Sequence, residues 1–383
     1  MEKKNGLLVW ILTLGVFGIL STEMGIIGIL PQIAQHFDVS ISKAGWLVSV
    51  FALAVAVSGP TMPLLFSGID RRKVMLLVLG IFIMSNIVSL FAANFTIALI
   101  ARVVPAFFHP IYCSLALTVA ATSVNKVEAP KAISKVMLGV SAGMVLGVPI
   151  SNFLANQASL EAAMSFFAIV NIVALIATIL FVPSMPVKER LSYGAQTSVL
   201  KRSMVWLSIA VFLFIASAVS GVSSYISEYL GTVGNISGTT LSLMLFLYGL
   251  ASIMGNIMAG KLIAKMAEKS VAYYVIVVGI VSLLAFVVGK YASPLVLIIV
   301  LIWGILFAIG NNMGQYLIAS SAEEAPDFAN GLFLTCSNLG TTIGTAVGGL
   351  IIFGMGIEYL VLGGVLFLIL SAASLMIRNY VNK

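Results

Sequence analysis

Charge is what this chain has least of. Only 9% of its 383 residues are Asp, Glu, Lys or Arg, against 61% that are hydrophobic. A soluble domain carries about 25% charged residues. So little charge cannot cover a water-facing surface, and so much apolar side chain would form large exposed patches there. Lipid is the solvent that fits. Cysteine and histidine are scarcer still, at two each. Cys113 and Cys336 both lie in apolar segments and read as packed thiols, with no disulfide framework. No metal-binding cluster is read, and no cofactor is expected. The formal charge of +7 is dispersed as short basic clusters between apolar stretches, not gathered on one face, which speaks against a nucleic-acid partner.

Enzyme signatures are also missing where they would matter. Gly139 to Gly143 matches G-x-S-x-G, but it lies inside an apolar, glycine-rich stretch and has no strand-to-helix turn or histidine–acid pair beside it. Gly255 to Lys261 begins a P-loop pattern, yet the following residue is Leu262, so the magnesium-binding hydroxyl is lacking. The chain is therefore not read as an enzyme, and transport driven by its own ATP hydrolysis is unsupported.

What is present is a succession of apolar runs. A helix needs about 20 apolar residues to cross a bilayer core. Breaks at charged or turn-rich points give twelve spans: 7–30, 41–66, 73–93, 96–123, 131–157, 160–182, 204–230, 239–264, 271–290, 293–321, 326–353 and 356–379. The first has lysines before it but no small-residue cleavage site after it, so it reads as a retained helix. The tightest joints are near Asn94 and Gln157. With the N-terminus placed in the cytoplasm, seventeen of the twenty basic residues fall inside, Lys43 and Lys290 fall outside, and Arg102 lies within a span. That asymmetry places both termini in the cytoplasm. The long polar connection 183–203 then divides a first bundle, 1–182, from a second, 204–383. The fold class is an all-α integral membrane protein of two six-helix bundles.

An internal repeat supports the division. Gly139, Gly143 and Gly147 in the fifth span are matched by Gly340, Gly344 and Gly348 in the eleventh, each 201 residues later. Spacing of four places each set on one helix face, where a neighbouring helix can approach closely. Parallel six-helix repeats are a known transporter layout.

Ionisable residues inside a span usually face a cavity or a partner. Glu23 lies roughly 10 Å deep at about 1.5 Å per residue, and Arg102 lies at similar depth in the fourth span. An ion pair between them is geometrically allowed, and Arg102, Ala106 and His109 share one helix face. Glu23, Arg102 and His109 are the candidate proton-coupling groups; a permanent structural pair is the alternative. A solute site would draw on Glu23, His109 and Tyr112 in the first half. In the second it would draw on Tyr225, Glu228, Asn256, Asn311, Gln315 and Asn338.

Several stretches together resemble the major facilitator superfamily, and within it the drug/metabolite:proton antiporter branch that includes bacterial sugar-efflux and purine-efflux transporters. They are Ser21-Thr22-Glu23-Met24, Gly28-Ile29-Leu30-Pro31, Ser58-Gly59-Pro60 leading into Asp70-Arg71-Arg72-Lys73, Arg102 with Ala106 and His109, Gly143 to Pro149, and Asn338-Leu339-Gly340. The resemblance implies that Arg71, Arg72 and Lys73 belong to a gating loop, that Arg102 serves proton coupling, and that Gly143, Gly147 and Pro149 mark an antiporter helix. Two departures stand out. The acidic residue of the loop motif is replaced at Ser67 or Gly68, and Ser151-Asn152 stand where a glycine pair is usual. By this resemblance the chain is a monomeric carrier in the inner (cytoplasmic) membrane, exporting a drug, sugar or nucleoside-like solute against protons. Alternatives are an uptake symporter or uniporter of the same fold, or a non-transporting scaffold or sensor.

Overall fold

The computed structural model describes residues 2–39, 41–187, 193–236, 238–288 and 293–381, and every regular element among them is helical. In the first half these are α1 (Glu2–Gly25), α2 (Trp46–Ser58), α3 (Arg71–Leu90), α4 (Phe95–Thr122), α5 (Ala129–Gln157) and α6 (Leu160–Phe181). In the second, α7 (Ser203–Ser224) precedes one helix, Gly238–Val288, that breaks at Met266 (φ −141°, ψ 30°) into α8, 238–265, and α9, 267–288. Then come α10 (Ser293–Ser321), α11 (Pro326–Met355) and α12 (Leu360–Val381). Among the described residues, eleven helical stretches are long and apolar enough to cross a membrane. The second span supplies the twelfth crossing in pieces.

That span was expected as one helix over 41–66. It is built instead from Ile41–Ala44, Trp46–Ser58 and Met62–Phe66. Pro60 cannot donate a backbone hydrogen bond, and it follows Gly59, the least helix-committed residue. The joints near Asn94 and Gln157 are tight because each following helix starts directly after a side-chain cap. Asn94 Oδ1 accepts from the Ile97 amide at 3.0 Å, and Ser159 Oγ accepts from the Ala162 amide at 3.2 Å. Many large apolar side chains are exposed, among them Phe353 at 93% and Phe91 at 78%. In water these would be a liability; in a bilayer they are the solvated surface.

The chain forms two compact units, Met1–Gln196 and Thr197–Lys383. Inside the first, α5 lies along α1. A side chain at Gly139 would meet the Thr13 carbonyl, and a Cβ at Gly143 would come within 2.6 Å of Leu20 Cβ and 3.1 Å of the Phe17 carbonyl. Inside the second, α11 lies along α7 in the same register. A Cβ at Gly340 would stand 2.5 Å from Ala216 Cβ, and one at Gly344 would strike the Ser217 carbonyl and come within 3.0 Å of the Gly221 amide. The two ladders are thus one packing device used twice, backbone against backbone.

Gly344→Ala should therefore destabilise the protein even though alanine is the better helix former, because its obstacle is backbone that cannot turn aside. Overpacking of this kind costs about 1–3 kcal/mol. Gly80→Ala, where no atom lies within 4 Å, should gain up to about 1 kcal/mol from helix propensity. Thermal unfolding in detergent reads both; equal midpoints for the two variants would show that the ladder is not close-packed.

Candidate functional site

The first unit's site grows from an irregularity in α1. At Ile26 the chain passes from α-helix to a 3-10 turn, Ile26–Ile29, before Leu30–His36 resumes. Switching from i→i+4 to i→i+3 bonding leaves carbonyls in need of other donors. Side chains from α4 and α5 provide them. Arg102 Nη2 donates to the Glu23 carbonyl at 2.6 Å, Ser151 Oγ to the Gly25 carbonyl at 2.6 Å, and Asn152 Nδ2 to the Gly28 carbonyl at 2.7 Å. The Ser151-Asn152 departure from the glycine pair thus has a structural task. Gly28 is required here, because a Cβ would lie 2.5 Å from the Val148 carbonyl.

Arg102 and Glu23 meet, but their side chains do not form the ion pair that sequence spacing allows. The guanidinium serves two backbone carbonyls, Glu23 at 2.6 Å and Leu47 at 3.3 Å, and lies 4.9 Å from the centre of the Phe51 ring. A planar fork suits two carbonyls and an aromatic face at once. The Glu23 carboxylate turns to His109 instead, with Oε2 3.1 Å from Nε2. This is ion-pair distance without hydrogen-bond alignment. The Cys113 thiol stands 3.7 Å from the same imidazole nitrogen, and the Phe51 ring meets His109 edge-on at 6.1 Å. Helices α1, α2 and α4 therefore bring an acid, an imidazole, a guanidinium and a thiol together. Pro105 and Pro110 interrupt the hydrogen-bond ladder of α4 on either side of His109's turn.

Behind Glu23 stands Thr22. Its Oγ1 donates to the Gly18 carbonyl at 2.9 Å and accepts from Asn86 Nδ2 at 3.3 Å and Asn171 Nδ2 at 3.0 Å. Thr22, Asn86 and Asn171 are all buried, so α3 and α6 are keyed to the turn of α1 that aims Glu23. None of the three is ionisable, which is why a count of charged groups in spans misses them; neutral asparagines deep in apolar runs were the available signal.

The other expected solute residues divide by placement. Tyr112 is fully buried, its hydroxyl in the space that Gly15 leaves by lacking a Cβ. Asn256 and Asn312 bond one another at 2.6 Å, and Gln315 donates to Asn330 at 2.8 Å, all buried. Tyr112, Asn256 and Gln315 thus turn inward in this structure, as expected where lipid forces polar side chains in spans to pair within the protein. Tyr225 crosses to α11 and donates to the Thr345 carbonyl at 3.0 Å, over Gly348 and Gly349. Asn311 and Asn338 are partly buried and bond carbonyls one turn back. The Glu228 side chain lies outside the described residues.

The expected gating loop is clamped to the linker. Asp70 caps α3 by accepting from the Lys73 amide at 3.1 Å. Ser184 donates to its other oxygen at 2.7 Å, the Arg71 amide donates to the Met185 carbonyl at 3.2 Å, and Arg72 Nη2 donates to the Ile179 carbonyl at 2.6 Å. Gln196 Nε2 donates to Ser67 at 2.9 Å. Among the described residues no group of three or more His, Cys, Asp or Glu is placed to hold a metal ion.

The Ser184 hydroxyl, helped by backbone amides, holds the Asp70 carboxyl below the usual carboxylate range. A depressed folded-state value contributes stability above the unfolded value and loses it as pH falls through the folded one. Amide hydrogen exchange over residues 67–74 should accelerate once acid protonates Asp70, and in Ser184→Ala it should do so at higher pH than in wild type. Identical profiles would show that this contact does not set the clamp.

Comparison with known proteins places these features in a family. A model of the Major Facilitator Superfamily matches residues 12–345. A probable sugar efflux transporter of Helicobacter pylori (strain P12) is 27% identical over 367 residues, which cover 94% of this chain and 92% of that protein. An MFS-type transporter of Bacillus subtilis (strain 168), YtbD, is 30% identical over 356 residues, covering 90% and 88%. Among solved structures, the human organic anion transporter TETRAN superposes with a TM-score of 0.78 at 17% identity, covering 97% of this chain and 99% of its own. The Escherichia coli fucose:proton symporter does so with 0.77 at 15%, covering 96% and 97%.

Proposed function

This chain belongs to the Major Facilitator Superfamily, and we propose that it is a proton-coupled carrier that exports a small neutral or amphipathic solute across a bacterial cytoplasmic membrane. The family makes it a multi-pass membrane transporter of small molecules, not an enzyme. Export and a sugar-like solute are supported by the relative named as a probable sugar efflux transporter. Protons supply the driving force in this reading, with no cofactor, and a single chain is the working unit.

The observation that carries the coupling is the Glu23–His109 pair. Glu23 is the acid placed well inside a span of the first unit, its carboxylate 14% exposed and 3.1 Å from the imidazole. One proton shared between two such groups can be handed on when water or solute reaches them. Arg102 holds the backbone on which Glu23 sits and keeps a fixed positive charge beside it. The part given to Arg102 is therefore to position Glu23 rather than to exchange protons.

Glu23→Gln fixes the neutral form. In proteoliposomes it should abolish accumulation of solute against a gradient under an imposed pH difference, while solute–solute exchange persists. Uphill transport at the wild-type rate with unaltered pH dependence would remove Glu23 from the coupling step. Orientation has its own test. The seventeen-to-two distribution of basic residues supports cytoplasmic termini, so cysteines added before Met1 and after Lys383 should react with an impermeant reagent only after the cells are opened. Labelling of either on intact cells overturns that topology.

A further inference from the structure

The position that matches Glu23 in the second unit, Ser224, carries no charge. Arg102 and Leu47, which meet beside Glu23, are matched 201 residues later by Trp303 and Tyr248, the same offset as the glycine ladders. Both of these converge on Ser223, the neighbour of Ser224, which stands 201 residues after Glu23. Tyr248 OH donates to Ser223 Oγ at 3.0 Å from α8, and Trp303 Nε1 donates to it at 3.1 Å from α10.

Trp303 fills one acceptor position of Ser223, and a single hydrogen lies between the Ser223 and Tyr248 hydroxyls, which leaves that pair one hydrogen to be given away. Ser217 and Ser224 give theirs to the Leu213 and Ser220 carbonyls of α7. In the first unit Thr22, which also accepts from two side chains, gives its hydrogen to Gly18. Among the described residues no third group accepts a hydrogen from the Ser223–Tyr248 pair. The serine is only partly buried, and the Phe307 ring lies 6.3 Å from that of Tyr248. No charged residue stands within four positions of Ser223, Tyr248 or Trp303.

We infer that the Ser223–Tyr248 hydroxyl pair, held in place by Trp303, is the hydrogen-bond donor to an acceptor oxygen or nitrogen of a neutral, ring-bearing solute whose apolar face lies on Tyr248 and Phe307. The two units then divide the work at one station of the repeat. Charge and proton are handled at Glu23, and neutral solute is recognised at Ser223. This assignment rests on the carrier reading above but can be tested apart from it.

Binding is read without transport, from the fluorescence of Trp303 in a protein whose Trp10, Trp46 and Trp206 are changed to phenylalanine. Isopropyl β-D-thiogalactoside and adenosine are the neutral probes, and gluconate is the charged control. At least one neutral probe should give a saturable change that gluconate does not. Ser223→Ala should weaken that binding about fivefold, the worth of one net hydrogen bond, and Ser223→Thr should restore it. Equal affinity in Ser223→Ala, or no response to either neutral probe, overturns the assignment. Flux under a pH gradient is measured separately. A Trp303 response that depends on Ser223 without any driven flux would overturn the carrier reading and leave the solute site standing.

Discussion

Where α1 loosens at Ile26, three carbonyls lose their regular helical partners in a medium that offers no water to replace them. The donors must come from the protein, and they come from Arg102, Ser151 and Asn152 on two other helices. Much of the first unit follows from that requirement. Arg102 is committed to backbone, so the Glu23 carboxylate is left to His109. Asn152 and Ser151 tie α5 to the same turn that the Gly139–Gly147 face already lets it approach. A local deviation in one helix thereby sets the electrostatic character of the site.

The second unit uses the same scaffold with different chemistry. Its α7 and α11 repeat the glycine contact of α1 and α5, but Tyr225 packs over Gly348 and Gly349 and bonds the Thr345 carbonyl. Neutral hydrogen bonds replace charges, at Ser223 and at the Asn256–Asn312 pair. An internal repeat constrains backbone packing tightly, because glycine faces tolerate no side chain. It constrains the side chains pointing elsewhere hardly at all. Divergence of function between the halves is cheap for that reason.

Several features of the site were open to reading from the residues alone. Glu23, Arg102 and His109 stand out as ionisable groups in apolar runs, and the i, i+7 spacing of the last two puts them on one face. Which of them pair did not follow from depth and spacing, since side chains long enough to reach each other still choose among carbonyls, rings and carboxylates. The partners of Tyr112, Asn256 and Gln315 could not be named from the sequence. Their burial against Gly15, Asn312 and Asn330 is a property of neighbouring helices. The broken second span had its signal in Gly59, Pro60 and Pro63, but proline within α4 and α5 leaves those helices continuous, so the residue type alone does not decide.

By itself the sequence determined the solvent, the helix count, the two-fold repeat and the family, because each is written in composition or in a fixed spacing. Hydropathy is a sum over a run, and a glycine face is a period of four; neither needs coordinates. Only the tertiary structure decided that Arg102 serves carbonyls, that Glu23 meets His109, that Thr22 joins three helices, and that Tyr248 and Trp303 meet at Ser223. These are choices among partners brought from distant positions in the chain. They depend on ångström differences in reach and alignment that no one-dimensional spacing records.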